Sequence, residues 1–149
     1  MTLSQTASYT FRPLTEGDAS LLNQLSVKHE KYRPLLGTGY QENKALANAY
    51  AKNKEIYPMA SVITKNSKAV GVIVLTDAGK QSIDVSIMGL EEQAVDFNEV
   101  LEATINECRN SGVKTLFFAP YDEYSNETFD GVTVTSIGTK EFPEYQFEL

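Results

Sequence analysis

The sequence predicts an α/β protein in which one mixed β-sheet packs against α-helices. Three observations predict it. Runs with apolar side chains at every second residue alternate with stretches whose apolar residues recur every three or four positions. One long helical stretch lies between two strands, the pattern of a right-handed crossover joining parallel neighbours near the middle of a sheet. The chain has 149 residues, the size of one domain.

The N-terminus predicts a tail and a first strand. Residues 1–8 are small and polar, and we expect them to form a loose tail. Residues 9–11 alternate apolar and polar side chains and stop before Pro13, as a strand does. The sequence therefore predicts a single domain over residues 9–149.

Two helices are predicted next. Thr15 stands three residues before Asp18, a variant of the N-cap pattern. The helix that follows is expected to run to about His29. A loop at residues 37–39, which contain two glycines, separates it from a second helix over residues 41–53, which contain neither Gly nor Pro.

The middle of the chain predicts three strands in series. Residues 60–64 and 69–76 are apolar and flank a turn at residues 66–67, so they form a hairpin. A second turn at residues 77–79 leads to a strand over residues 82–90 that alternates strictly. One face of this strand carries Ile83, Val85 and Ile87, and the other carries Ser82, Asp84, Ser86 and Met88.

The longest helical pattern follows, and Gly112 is placed to end it. Its apolar stripe consists of Ala94, Phe97, Leu101, Ile105 and Cys108. Residues 115–119 form a short strand, residues 121–130 form either a short helix or a loop, and residues 131–137 and 145–149 form two last strands. The predicted order is β-α-α-β-β-β-α-β-(α)-β-β.

Composition excludes several classes of function. The formal net charge is −7, from 13 Lys and Arg against 20 Asp and Glu, which disfavours nucleic acid and anionic membranes as partners. No stretch has the ~20 apolar residues of a membrane span, and the N-terminus does not resemble a signal peptide. We therefore expect a cytoplasmic protein. The single cysteine and single histidine favour neither a disulfide nor a metal site.

Three segments resemble the GNAT N-acetyltransferase superfamily. Residues 11–18, Phe-Arg-Pro-Leu-Thr-Glu-Gly-Asp, are similar to the family's Arg-Pro strand end and capped first helix. Residues 70–73, Val-Gly-Val-Ile, resemble its third strand, and residues 131–134 with the closing strand 145–149 resemble its last strand pair. The resemblance covers nearly the whole chain. It implies a mostly antiparallel, twisted sheet with helices on both faces, acetyl-CoA as the acyl donor, and an amine of a small molecule or peptide as the acceptor.

The chain departs from the family at two places. The family's glycine-rich loop cradles the pyrophosphate of coenzyme A on backbone N–H groups, but residues 91–97 here read Glu-Glu-Gln-Ala-Val-Asp-Phe, with no glycine and three carboxylates. The adjacent Glu91 and Glu92 are interpreted as a solvated helix start favoured by the helix dipole. The second departure is residues 121–130, where the family has a full helix. Tyr124 and Asn126 lie there, outside the family's spacing.

The resemblance assigns candidate roles to particular residues. Asp84, in mid-strand, is the candidate general base acting through water, unless its face of the sheet is wet and it is merely solvated. Tyr124 is the candidate acid. The candidate cofactor-binding residues are Ile87, Met88, Gly89, Gln93, Ala94 and Asn126. The candidate substrate-binding residues are Tyr32, Arg33 and Tyr40, in a stretch that is otherwise a surface loop.

His29 and Cys108 have simpler interpretations. His29 at a helix end is typical of a partner for the helix dipole rather than of a catalyst. Cys108, on an apolar stripe, is typical of a core thiol.

Three hypotheses about function stay open. The first is an atypical GNAT-type acyltransferase. The second is a module of the same fold that binds a ligand or protein and has lost coenzyme A. The third is a homodimer in which Tyr145 and Phe147 on the last strand extend a partner's sheet edge.

Overall fold

The computed structural model describes all 149 residues. The strands are β1 Thr10–Pro13, β2 Met59–Lys65, β3 Lys68–Gly79, β4 Ser82–Gly89, β5 Thr115–Phe118, β6 Thr133–Ser136 and β7 Tyr145–Glu148. The α-helices are α1 Ala19–Lys28, α2 Tyr40–Lys52 and α3 Phe97–Asn110, with two short 3₁₀ turns, Glu16–Asp18 and Glu30–Tyr32. No helix is both long enough and apolar enough to span a bilayer.

The seven strands form one sheet in the order β1-β2-β3-β4-β5-β7-β6. Only β4 and β5 are parallel, and α3 makes the crossover between them. This confirms the predicted α/β class and its mostly antiparallel sheet. The proposed dimer edge is wrong, because β7 lies between β5 and β6 and Phe147 is fully buried against the core.

The sheet separates two apolar cores, so helices cover both of its faces. The core on the α3 side contains Ile83, Val85 and Ile87 of β4 together with the stripe of α3. The core on the other side contains Met88 and the inward residues of α1 and α2. The strict alternation of β4 therefore determines which of its side chains belongs to which core.

The turn predicted at residues 77–79 is wrong. β3 continues through Gly79, with an irregularity in its pairing between Asp77 and Gly79, and the turn falls at Lys80 and Gln81, whose φ angles are +53° and +61°. The Asp77 carboxylate accepts a hydrogen bond from the Gly79 N–H at 3.0 Å. Residues that favour turns therefore form a β-bulge at the end of β3, directly before the turn at Lys80 and Gln81.

The N-terminal residues are not loose, contrary to the prediction. Leu3 is buried against the α3 core. The Glu99 carboxylate on α3 accepts hydrogen bonds from the Thr6 hydroxyl at 2.6 Å and from the Ser8 N–H at 2.9 Å. A polar segment is held in place because a helix carboxylate satisfies its donors.

The N-cap pattern predicted at Thr15 is confirmed. The Asp18 carboxylate accepts a hydrogen bond from the Thr15 N–H at 2.9 Å and pairs with both terminal nitrogens of Arg12 at 2.7 and 2.9 Å. The same carboxylate therefore joins the end of β1 to the start of the first helical segment.

Candidate active site

The parallel strands β4 and β5 pair over only part of the length of β4, which leaves an opening between them. The two strands pair only over Ser82–Val85 and Thr115–Phe118. Further along β4, the Leu90 N–H donates to the Val70 carbonyl on the β3 side. Because N–H groups alternate in an antiparallel ladder, those of Ile87 and Gly89 point away from β3 and into the opening.

The N–H of Gly89 already has a partner within the chain. It donates to the Tyr32 hydroxyl at 3.0 Å, in a fully buried contact. Tyr32 itself is fully buried, so a substrate could reach it only after its segment moved. The structure thus brings together two predicted site residues that were assigned different roles.

Asp84 lies on the same face of β4 as Met88, opposite Phe117 of β5 and Thr76 of β3. Its side chain is exposed, at a shallow depression of about 200 Å³ that also includes Tyr121. Partial desolvation by the surrounding chain raises the pKa of the Asp84 carboxyl above its usual range. The group therefore has both access to water and a bias toward accepting a proton.

The helix start that corresponds to the expected phosphate-binding loop is occupied by the chain itself. α3 begins at Phe97, with Asp96 as its N-cap, and the Asp96 side chain accepts hydrogen bonds from the N–H groups of Asn98 at 3.1 Å and Glu99 at 3.3 Å. The N–H of Asp96 donates to the Tyr9 hydroxyl at 2.7 Å. These three N–H groups are therefore not free to bind an anion.

Two predictions about this loop are corrected. Ala94 does not belong to the stripe of α3, because the helix begins three residues later; its carbonyl accepts a hydrogen bond from the Tyr9 hydroxyl at 3.3 Å. Glu91 and Glu92 do not form the helix start either. Glu91 pairs with Lys28 instead, and this contact lowers the pKa of the Glu91 carboxyl.

A polar groove runs from this loop to the β6–β7 hairpin. It consists of two adjoining depressions of about 380 and 790 Å³ that share Gln93 and Tyr124. Its carboxylates are Glu92, Asp96, Asp122 and Glu123, and its single lysine is Lys140. A groove with this excess of negative charge disfavours phosphate groups.

Tyr124 is wedged among aromatic rings beside the groove. Its ring lies 5.3 Å from that of Phe118 and 5.5 Å from that of Tyr145, and its hydroxyl donates to the Asn98 side-chain oxygen at 2.8 Å. Burial raises the pKa of the Tyr124 hydroxyl. Residues 121–130 form no helix, and Asn126 is exposed.

The remaining predicted residues lie apart from this region. Arg33 is exposed and its guanidinium is 3.5 Å from the Glu30 carboxylate. Tyr40 opens α2 and is 47% exposed. Cys108 is a fully buried core thiol, and burial raises its pKa to about 12. No cluster of His, Cys, Asp and Glu side chains is placed to hold a metal ion.

Sequence reasoning missed the contacts that occupy the site. Tyr9, Lys31 and Tyr121 carried no motif, because their partners are distant in sequence. The Asp96 cap did carry one: Asp96 followed three residues later by Glu99, before an apolar stripe, is a capping pattern. That pattern would have placed the start of α3 correctly.

Comparison with known proteins defines the class of this fold. No model of a known protein family matches the sequence, and no curated protein sequence matches it. Solved structures do match over nearly its whole length; they are acetyltransferases, and one of them is described as a member of the GNAT family. The predicted GNAT fold is therefore confirmed.

Three solved structures illustrate the likeness. An acetyltransferase of the GNAT family from Bacillus anthracis matches with a TM-score of 0.70 and 10% identity, covering 100% of this chain and 98% of that one. The aminoglycoside acetyltransferase AAC(6')-Ib in complex with coenzyme A matches with a TM-score of 0.64 and 12% identity, covering 95% and 94%. An acetyltransferase from Thermus thermophilus matches with a TM-score of 0.60 and 14% identity, covering 98% and 100%.

Proposed function

We propose that this protein is an acyltransferase that moves an acyl group from a thioester to an amine of a small molecule or peptide. The observation that carries the proposal is the opening between β4 and β5, into which β4 directs two backbone N–H groups. Acetyltransferases with this fold support the same activity. The solved complexes of AAC(6')-Ib with kanamycin and with coenzyme A support a small-molecule amine as the acceptor.

The chain's own groups suit most of the steps. The amine attacks the thioester carbonyl, a C–N bond forms, and the C–S bond breaks to release a thiolate. The N–H groups of Ile87 and Gly89 would stabilise the negative charge that develops on the carbonyl oxygen. Asp84 would take the proton of the attacking amine through water. Tyr124 suits the role of acid poorly, because burial raises its pKa and its hydroxyl already donates to Asn98, so the thiolate would take its proton from water.

Coenzyme A fits only part of this site. The N–H groups at the start of α3 are bonded to Asp96 and Tyr9, and the groove beside them is acidic. The residues present therefore do not fit a pyrophosphate. In this proposal the donor is recognised through its thioester arm in the opening, and Gln93, Ala94 and Asn126 play a smaller part than the family resemblance implies.

Titration calorimetry with three donors tests this proposal. The ligands are acetyl-CoA, free coenzyme A and S-acetyl-pantetheine, which has the thioester arm without the nucleotide. We expect saturable binding of S-acetyl-pantetheine with an affinity similar to that of acetyl-CoA, because the nucleotide adds no favourable contact. Absence of binding by all three ligands at millimolar concentration would rule out the thioester site.

An acyl-transfer assay tests the role of Asp84. With a panel of amines, release of thiol is followed by a thiol reagent, and the buried Cys108 contributes little background. We expect Asp84→Asn to lower kcat by about 10²–10⁴-fold. The matched control is Glu102→Gln, which removes one exposed carboxylate from α3. Full activity in Asp84→Asn would remove Asp84 from the mechanism.

A binding module without transferase activity is the second candidate. Two observations favour it: the Asp96 cap of α3 and the contact between Tyr32 and Gly89 both fill positions that a donor would use. A binding module of this kind would transfer no acyl group to any amine. It would bind its ligand or protein partner at another place on the surface. The transferase stays the first candidate because the solved structures similar to this chain are acetyltransferases.

A further inference from the structure

Residues 28–32, here called the gate segment, lie across the mouth of the opening. On the β4 side, Lys28 forms an ion pair with Glu91. The His29 ring Nε2 lies 2.8 Å from the Leu90 carbonyl oxygen, within hydrogen-bonding distance. These two contacts tie the end of α1 to the residues that follow β4.

The other side of the gate segment is tied to the chain beyond β5. Lys31 forms an ion pair with Asp122 in which both side chains are only partly exposed. The Tyr32 ring stands edge-on to the Tyr121 ring, with 5.5 Å between their centroids. The gate segment is therefore attached to the residues that follow both strands of the opening.

The chain on the C-terminal side of the gate segment is fixed by a different set of contacts. The Gly37 N–H donates to the Asn43 side-chain oxygen at 2.8 Å, and the Ser26 hydroxyl donates to the Gly37 carbonyl at 2.6 Å. Asn43 is fully buried. Any movement of the gate segment is therefore confined between the end of α1 and Gly37.

We propose that the gate segment closes the thioester site, with the Tyr32 hydroxyl holding the Gly89 N–H that a thioester carbonyl would otherwise use. The proposal rests on the proposed function, because it assumes that the opening takes a thioester. Apart from Tyr32, the segment is held by ion pairs and single hydrogen bonds, which open locally at lower cost than a packed core. The acyl donor then binds only to the fraction of molecules whose gate is open, which weakens its apparent affinity by that fraction.

Amide hydrogen exchange measured by NMR tests the gate without any ligand. Two variants loosen it: Tyr32→Phe removes the hydroxyl and keeps the ring, and Lys31→Gln breaks the pair with Asp122. Because local opening exposes the amide, we expect the Gly89 N–H to exchange at least about tenfold faster in both, with core amides unchanged. Lys44→Gln, which removes a lysine paired with Glu16 at 3.9 Å outside the gate segment, should leave Gly89 unchanged.

A charge swap provides the reciprocal test. Lys31→Asp combined with Asp122→Lys reverses the ion pair, and we expect it to return Gly89 exchange toward the rate of the unmodified protein. The gate is refuted if, in every variant, the Gly89 amide exchanges as slowly as core amides such as that of Ile73. The segment would then be a fixed part of the core.

Titration of the same variants with S-acetyl-pantetheine separates the two proposals. With a gate, Tyr32→Phe and Lys31→Gln bind about tenfold more tightly than the unmodified protein. Equal or weaker binding by variants that exchange faster at Gly89 would show that the hydroxyl does not compete with the donor, which overturns the gate. Faster exchange with no binding by any variant would overturn the proposed function and leave the movement of the segment established.

Discussion

Replacement of Asp96 by alanine tests the most specific claim about the missing phosphate site, that the chain caps its own helix. The Asp96 side chain accepts two hydrogen bonds, from the N–H groups of Asn98 and Glu99. Loss of an N-cap of this kind costs about 1 kcal/mol of the free energy of unfolding, within about 0.5–2 kcal/mol. Asp96→Asn is the matched variant, since asparagine keeps an acceptor oxygen and loses only the charge.

Urea denaturation followed by circular dichroism measures this cost. With an m-value of about 2 kcal/mol/M, the alanine variant should unfold at about 0.5 M less urea than the unmodified protein. In a chain of this size its melting temperature should fall by about 3 °C. The asparagine variant should lose distinctly less. If both variants lose the same stability, the effect comes from the charge of Asp96 at the helix dipole rather than from its capping hydrogen bonds. If the alanine variant is as stable as the unmodified protein, the cap is refuted.

Two further predictions concern stability. Gly71→Ala should lower the free energy of unfolding by about 1–3 kcal/mol, because a Cβ at Gly71 would collide with the Met88 carbonyl. Gly17→Ala, where an added Cβ makes only an ordinary contact with the Thr15 hydroxyl oxygen at 3.4 Å, is the control in the same urea titration. Burial of Asp18 opposes ionisation, but the ion pair with Arg12 and the hydrogen bonds from Thr15 together outweigh it and lower the pKa of Asp18. Because the pKa of Asp18 is lower in the folded than in the unfolded protein, its carboxylate stabilises the fold at pH values above the unfolded pKa of about 3.9. This stabilisation is lost as the pH falls through the folded-state pKa. Urea midpoints between pH 6 and pH 2.5 should therefore fall less steeply in Asp18→Asn, and parallel curves would contradict this assignment.

Much of the fold could be predicted because its determinants are local. The alternation of β4, the stripe of α3 and the Thr15 cap each lie within one element, and each is present in the structure. The errors have a physical cause in common. The Asp77 bulge and the ordered N-terminal residues both depend on a hydrogen bond that the pattern of apolar residues does not encode.

The candidate site was less predictable because its defining contacts are distant in sequence. The hydrogen bond between Tyr32 and Gly89 joins residues 57 positions apart, and that between Tyr9 and Asp96 joins residues 87 apart. Local sequence placed Gly89 at a strand end and Tyr32 in a loop, and it left no trace of their contact. The absence of the glycine-rich loop was visible in the sequence, and so was the capping pattern of Asp96; the contact of Tyr9 with this loop emerged only from the tertiary structure.

The position of β7 has a consequence for how the chain folds. β6 precedes β7 in the chain, yet β7 separates β6 from β5 in the sheet. While the protein is being synthesised, β5 and β6 therefore emerge before the strand that joins them, and each presents unpaired backbone groups until β7 inserts. Unpaired edges of this kind promote association between incomplete chains. Removal of residues 145–149 would keep the chain in that state, and we expect the shortened protein to aggregate rather than to fold as a smaller sheet.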